Sequence, residues 1–167
     1  ILALEQFDLR VARLRLVNHG FNSTFKVTTE AGDTYALRLN LNSRKSPDQV
    51  LAEIEWIDEI RSRGIVSVPK TFRTNTREKL ALFDSGHGSS SVAVLMGWLP
   101  GRVMDEPPLK QVFAMGQSMA HLHSSGRQWQ PSAEASLPRI DDIFMGLENN
   151  IFTDARPTDE LKADRKS

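Results

Sequence analysis

The chain has 167 residues, 40% hydrophobic and 25% charged, with 21 Lys+Arg against 21 Asp+Glu and a formal net charge of zero. That is ordinary for a soluble protein of one domain or two small lobes, and it shows no basic footprint for nucleic acid. No apolar run approaches the about 20 residues that cross a bilayer, and "ILALEQFDLR" is not a signal peptide; zero cysteines exclude a disulfide framework and thiolate metal sites, so neither membrane nor nucleic-acid partners are expected and a cytoplasmic location is.

The first predicted elements are three consecutive strands. In "VARLRLVN", Val11 to Asn18, Leu14 and Leu16 alternate inward with Arg13 and Arg15 outward. "STFKVTT", Ser23 to Thr29, repeats the pattern through Phe25 and Val27, and "EAGD" then turns the chain, with Gly32 free to take a positive φ. "TYALRLN", Thr34 to Asn40, puts Tyr35, Leu37 and Leu39 on one face, read as the core side, and Ala36 with Arg38 on the other. An alanine beside an arginine there is either a solvated outer face or a place where something flat lies over Ala36 while Arg38 holds an anion.

"SPDQVLAEIEWIDEIRSRG" reads as a helix. Ser46 is an N-cap, Pro47 fits the first helical position and Gln49 completes a capping box. Val50, Ile54, Ile57 and Ile60 recur at helical spacing, and Gly64 ends the helix. Glu53 falls on the stripe of Ile57 and Ile60, apart from Glu55, Asp58 and Glu59, which are assigned to solvent; a carboxylate on a partly buried stripe needs a cation. "VPKTFRT" and "KLALFD" are further strand candidates joined by "NTRE". Val92 to Met96 is a continuous apolar run, as in a strand buried on both faces, and it stops at Gly97, Pro100 and Gly101. Helical spacing returns from Leu109 through Val112, Gly116, Met119 and Leu122 to Gly126. A Pro- and Ser-rich loop follows, then a short helix predicted around Ile140 to Leu147 and a polar tail from Asp154. The order is about five strands with one helix inserted after the third, then a break, then helices. This is an α+β arrangement, segregated rather than alternating, with a mainly antiparallel sheet.

"YALRLN", "AEIEWIDEIRSRG", "VPKTF", "VAVLMGWLPGR" and "GQSMAHLHSSG" follow one another in an order that resembles the first half of the aminoglycoside phosphotransferase/choline kinase-like family, small-molecule relatives of protein kinases. The resemblance covers roughly Val11 to Gly126. It implies a kinase-like N-terminal lobe over residues 1–96, a hinge over 97–101 and the incomplete beginning of a helical acceptor lobe over 102–167.

The resemblance also implies roles for particular residues. Arg38 stands where such enzymes hold the nucleotide phosphates, usually with a lysine; Ala36 leaves room for the base, and Glu53 pairs with the cation. The turn "NHGFNST" matches the phosphate-covering loop, through Asn22, Ser23 and Thr24. Met96 is the gatekeeper, while the Gly97 carbonyl and the Leu99 amide face the base. The implied ligands are ATP or GTP with Mg, and a small-molecule hydroxyl as acceptor. His121 and His123, two apart on a helix, point in different directions and carry no metal role. The acid pairs "DEPP" and "RIDD" stay unassigned.

No segment fits a catalytic loop such as H-G-D-x-x-x-x-N or the metal-binding I-D-F/W that follows it. The chain is therefore expected to be a fragment without a catalytic aspartate or metal ligands of its own. Two functions stay open: part of an ATP-dependent phosphotransferase, or a non-catalytic nucleotide-binding or interaction module of the same fold. Self-association through apolar surface is expected if part of the acceptor lobe is missing.

Overall fold

The alternation seen in the sequence becomes a six-stranded antiparallel sheet. The computed structural model describes residues 2–41, 45–84, 86, 90–101 and 104–137, all within one compact unit, Ile1–Leu137. The expected helix around Ile140 to Leu147, the tail from Asp154 and the "RIDD" pair lie outside the described residues. A 3-10 turn, Leu2–Gln6, opens the chain, followed by β1 (Val11–His19), β2 (Ser23–Thr29) and β3 (Thr34–Asn40). Helix α1 (Pro47–Arg63) comes next, then β4 (Thr71–Phe72), β5 (Ala81–Asp84), β6 (Ser90–Gly97) and α2 (Leu109–Gly126). The spatial order is β1-β2-β3-β6-β4, and β5 shares the outer side of β6 with β4. The apolar run of β6 is thus central, hydrogen-bonded on both sides and buried from Ser91 to Leu95.

Local chemistry accounts for the turns and caps. Gly32 turns β2 into β3 with φ 89°, a conformation that costs a residue with a Cβ. At the start of α1 the Ser46 N–H donates to Gln49 Oε1 at 3.1 Å, and at its end Gly64 adopts φ 63° while its N–H reaches the Arg61 and Ile60 carbonyls. These satisfy backbone groups that a helix leaves unpaired at its ends.

The sheet has two buried faces. Leu37 and Leu39 lie with Val27, Ala93 and Leu95 in one core, which Ala3, Leu4 and Phe7 cover from the N-terminal turn. Asn75 N–H to the Gln6 carbonyl (2.8 Å) and Gln6 Nε2 to the Leu82 carbonyl (2.6 Å) hold that turn down. Its few apolar residues are too short a run to announce a helix by period, and sequence reasoning did not mark it. Helix α1 covers the other face, packing Val50 and Ile54 on Val92 and Val94, with Leu80 and Met96 beside them. So α1 lies on the side of Ala36 and Arg38, whereas Leu37 and Leu39 are buried without it.

Two expectations about individual side chains are corrected. Leu16 is 51% exposed, not inward: β1 is the free edge of the sheet, and its register shifts between Leu16 and Asn18 break the alternation there. Glu55 is not a solvent-facing residue either, because its side chain is only 16% exposed, less than the 27% of Glu53. The segment after α2 folds back over it, a packing that no helical period encodes.

Candidate functional site

Strand period and register gather the predicted residues. Thr24 pairs with Arg38, and Arg38 with Val94, so these side chains share the face that α1 covers. One step along, Lys26, Ala36 and Met96 form a second row on the same face. Ala36 is thus directly flanked by Met96, and the ammonium of Lys26 lies 4.7 Å from the centre of the Trp98 ring, a cation–π contact.

Arg38 turns toward α1, and its Nη2 donates to Glu53 Oε2 at 2.8 Å. Lys45 Nζ donates to the other carboxylate oxygen. Sequence reasoning did not mark Lys45; it stands just before the Ser46 cap, outside any helical or strand period, so only the folded chain brings it to Glu53. Burial works against the Glu53 charge, but the Lys45 hydrogen bond and the Arg38 and Lys45 charges outweigh it and hold the carboxyl below its ordinary value of 4.5. Arg38 Nε is buried without a hydrogen-bond partner, as is Asn22 Oδ1 in the β1–β2 turn. Buried polar groups are almost always paired. An anion is the natural complement of a guanidinium N–H, so the residues present fit a phosphate group at Arg38.

The turn is not uniform. Ser23 pairs with Leu39, which puts its side chain on the opposite face from Arg38; its Oγ is hydrogen-bonded to His19 Nδ1 at 2.8 Å, and the residue is buried. Of the three turn residues the register therefore places Thr24 on the Arg38 face and Ser23 on the other, while Asn22 precedes the strand. At the end of β6, Gly97 pairs with Tyr35, its N–H donates to the Lys70 carbonyl at 2.8 Å, and the Trp98 N–H donates to the Thr34 carbonyl at 3.3 Å. Leu99 lies beyond the strand with an exposed side chain. His121 and His123 lie exposed on α2. Among the described residues no three His, Cys, Asp or Glu side chains come together as a metal cluster, and no helix is long and apolar enough to cross a membrane.

The fold recurs in solved structures. A microcompartment-associated aminopropanol kinase superposes with a TM-score of 0.68 at 23% identity, over 83% of this chain and 42% of its own. An amicoumacin kinase in complex with AMP-PNP, Ca2+ and Ami superposes with a TM-score of 0.73 at 19% identity, over 98% of this chain and 51% of its own. At these identities the likeness shows the fold, a kinase-like N-terminal lobe, and the chain spans about half the length of either protein. No curated protein sequence matches significantly. The family model described as "Phosphotransferase enzyme family" matches residues 13–159, most of the chain, and the protein belongs to that family.

Proposed function

We propose that this chain is the nucleotide-binding portion of a phosphotransferase that moves the γ-phosphoryl group of ATP or GTP to a hydroxyl of a small molecule. The observation that carries the reading is Arg38, ion-paired to Glu53 on the α1 side of the sheet with a buried Nε left over for an anion. In this reading residues 1–96 are the nucleotide lobe, 97–101 the hinge and 102–167 the beginning of the acceptor lobe. Arg38 anchors the phosphates while Glu53 and Lys45 hold it in place. Asn22, Thr24 and the backbone of Ser23 cover the phosphates. Ala36 and Met96 leave a flat apolar floor for the base, and the Gly97 carbonyl and Leu99 amide supply its edge contacts. Mg, when bound, neutralises phosphate oxygens, with ligands from sequence other than the described residues. Kinases for aminopropanol and amicoumacin share the fold, which supports a small-molecule acceptor. Exposed Leu109, Phe113 and Met115 on α2 support self-association of the chain.

The test is nucleotide binding to the 167-residue chain with Mg·ATP or Mg·GTP. Arg38→Ala should weaken it by about tenfold to a hundredfold, the loss of one charge-assisted anchor, and Arg38→Lys should retain much of it. Equal affinities for wild type and Arg38→Ala would make the Ala36–Arg38 face a plain strand surface. The chain by itself should transfer no phosphoryl group, because it has no catalytic-loop aspartate followed by a metal-binding asparagine. Acceptor-dependent ADP release by the purified chain would contradict that, and binding without turnover in the full-length parent would favour an interaction module.

A further inference from the structure

After α2 the chain returns to α1 and lies along it. Gly126 packs on the Trp56 indole, where an added Cβ would meet ring atoms at 3.7 and 3.8 Å. The Trp129 ring follows, its centre 5.0 Å from that of Trp56 at an interplanar angle of 51°. The Ser132 N–H and hydroxyl then donate to the two oxygens of Glu55, each at 2.9 Å. The Ser136 N–H donates to the Asp48 carbonyl at 3.2 Å, and its hydroxyl donates to the Asp48 carboxylate. One short segment thus grips α1 from Asp48 in its first turn to Trp56 in its third.

Glu53 lies between those grips in sequence, and the rotation of α1 decides whether it meets Arg38. At about 100° per residue Glu53 and Glu55 leave α1 on opposite sides, so contacts to Glu55 hold the side of the helix away from Arg38. Val50, Ala52, Ile54 and Ile60 are the buried residues of α1, and of these Val50 and Ile54 pack on β6. Apolar burial is non-directional, whereas hydrogen bonds to Glu55 and Asp48 and a ring pair at Trp56 have preferred geometries and add a directional constraint to the packed seat. We propose that the segment Arg127–Leu137 is a positioning strap: Trp129, Ser132 and Ser136 set the rotation of α1 and thereby keep Glu53 on Arg38. The strap follows the Gly97–Gly101 stretch and α2 in the chain, so it ties what comes after the proposed hinge to the residue that orients the phosphate anchor. The nucleotide part of this inference rests on the function proposed above; the control of the ion pair does not.

Two readouts on the 167-residue chain separate the claims. The first uses no nucleotide: the side-chain Nε–Hε signal of Arg38 by 15N NMR, whose proton exchange reports whether the guanidinium is held. Trp129→Ala should speed that exchange and Trp129→Phe should restore it; Ser132→Ala, which removes only one hydroxyl, should give a smaller change in the same direction and serves if Trp129→Ala does not fold. The second is affinity for Mg·ATP, expected to fall about tenfold in Trp129→Ala, a typical coupling between sites, and to be unaffected by the same change when Glu53→Gln is already present. A general loss of packing would instead weaken both backgrounds alike. An Arg38 signal that ignores both Trp129→Ala and Ser132→Ala, or a strap effect on affinity that persists with Glu53→Gln, overturns the proposal. If wild type binds no nucleotide, the functional reading fails while the Arg38 signal still decides the strap.

Discussion

Replacing Glu53 by Gln asks how much of the fold is held by charge. The substitution keeps the size of the side chain, removes the charge that faces Arg38 and Lys45, and leaves one acceptor oxygen where the carboxylate offers two. A hydrogen bond to a charged group contributes about 1.5–3 kcal/mol, and a solvent-exposed ion pair about 0.2–1 kcal/mol. The Arg38 contact joins side chains 18% and 27% exposed and falls between these ranges; Lys45, at 36%, belongs near the lower one. Together they suggest a loss of about 2 kcal/mol, roughly 30-fold in the folding equilibrium. Denaturant unfolding followed by the fluorescence of Trp56, Trp98 and Trp129 measures it. Acid titration supplies a second signature. The folded pKa of Glu53 lies below 4.5, so its contribution is complete above that value and is lost as pH falls through the folded pKa, where the native carboxylate also takes up its proton. Asp48 and Glu55, likewise held low, the first mainly by the Ser136 hydroxyl and the second by Ser132 and Lys79 against burial, give both proteins a shared acid slope. Wild type should fall more steeply than Glu53→Gln on acidification, and the two curves should converge. Equal stability at neutral pH with identical acid slopes would refute the reasoning and leave the ion pair without a part in the fold.

Ile54→Ala, at a fully buried position against Val92 and Val94, should cost about 2–5 kcal/mol, read as a lower denaturant midpoint at unchanged slope. Gly64→Ala should cost about 1–2 kcal/mol through its positive φ alone, because nothing lies within 4 Å of the added Cβ; an unchanged melting temperature would count against the left-handed cap. Leu16→Ser should change stability by less than about 0.5 kcal/mol, as expected at an exposed edge. A loss above about 1 kcal/mol would restore the inward assignment of that residue.

Much of the architecture is written in local pattern. Period two in "TYALRLN" separates Leu37 and Leu39 from Ala36 and Arg38, and the helical period with its Ser46, Pro47 and Gly64 signals bounds α1. The unbroken apolar run of β6 marks a strand with neighbours on every side. These features are legible because each depends on residues close in sequence. The pairing of Glu53 with Arg38 was legible too, but only by combining a strand face with a helix face and a family resemblance.

Tertiary structure decided what depends on distant segments meeting. Leu16 reads like Leu14 until the sheet order makes β1 an edge. Ser23 reads like Thr24 until the register turns its hydroxyl to His19. Lys45 meets Glu53 from outside any helical or strand period, and Glu55 is covered by Lys79 and by Ser132, 77 residues later. Alternation and caps fix which way a side chain leaves its own backbone; what it then meets is set by packing between segments whose separation in sequence carries no period to read.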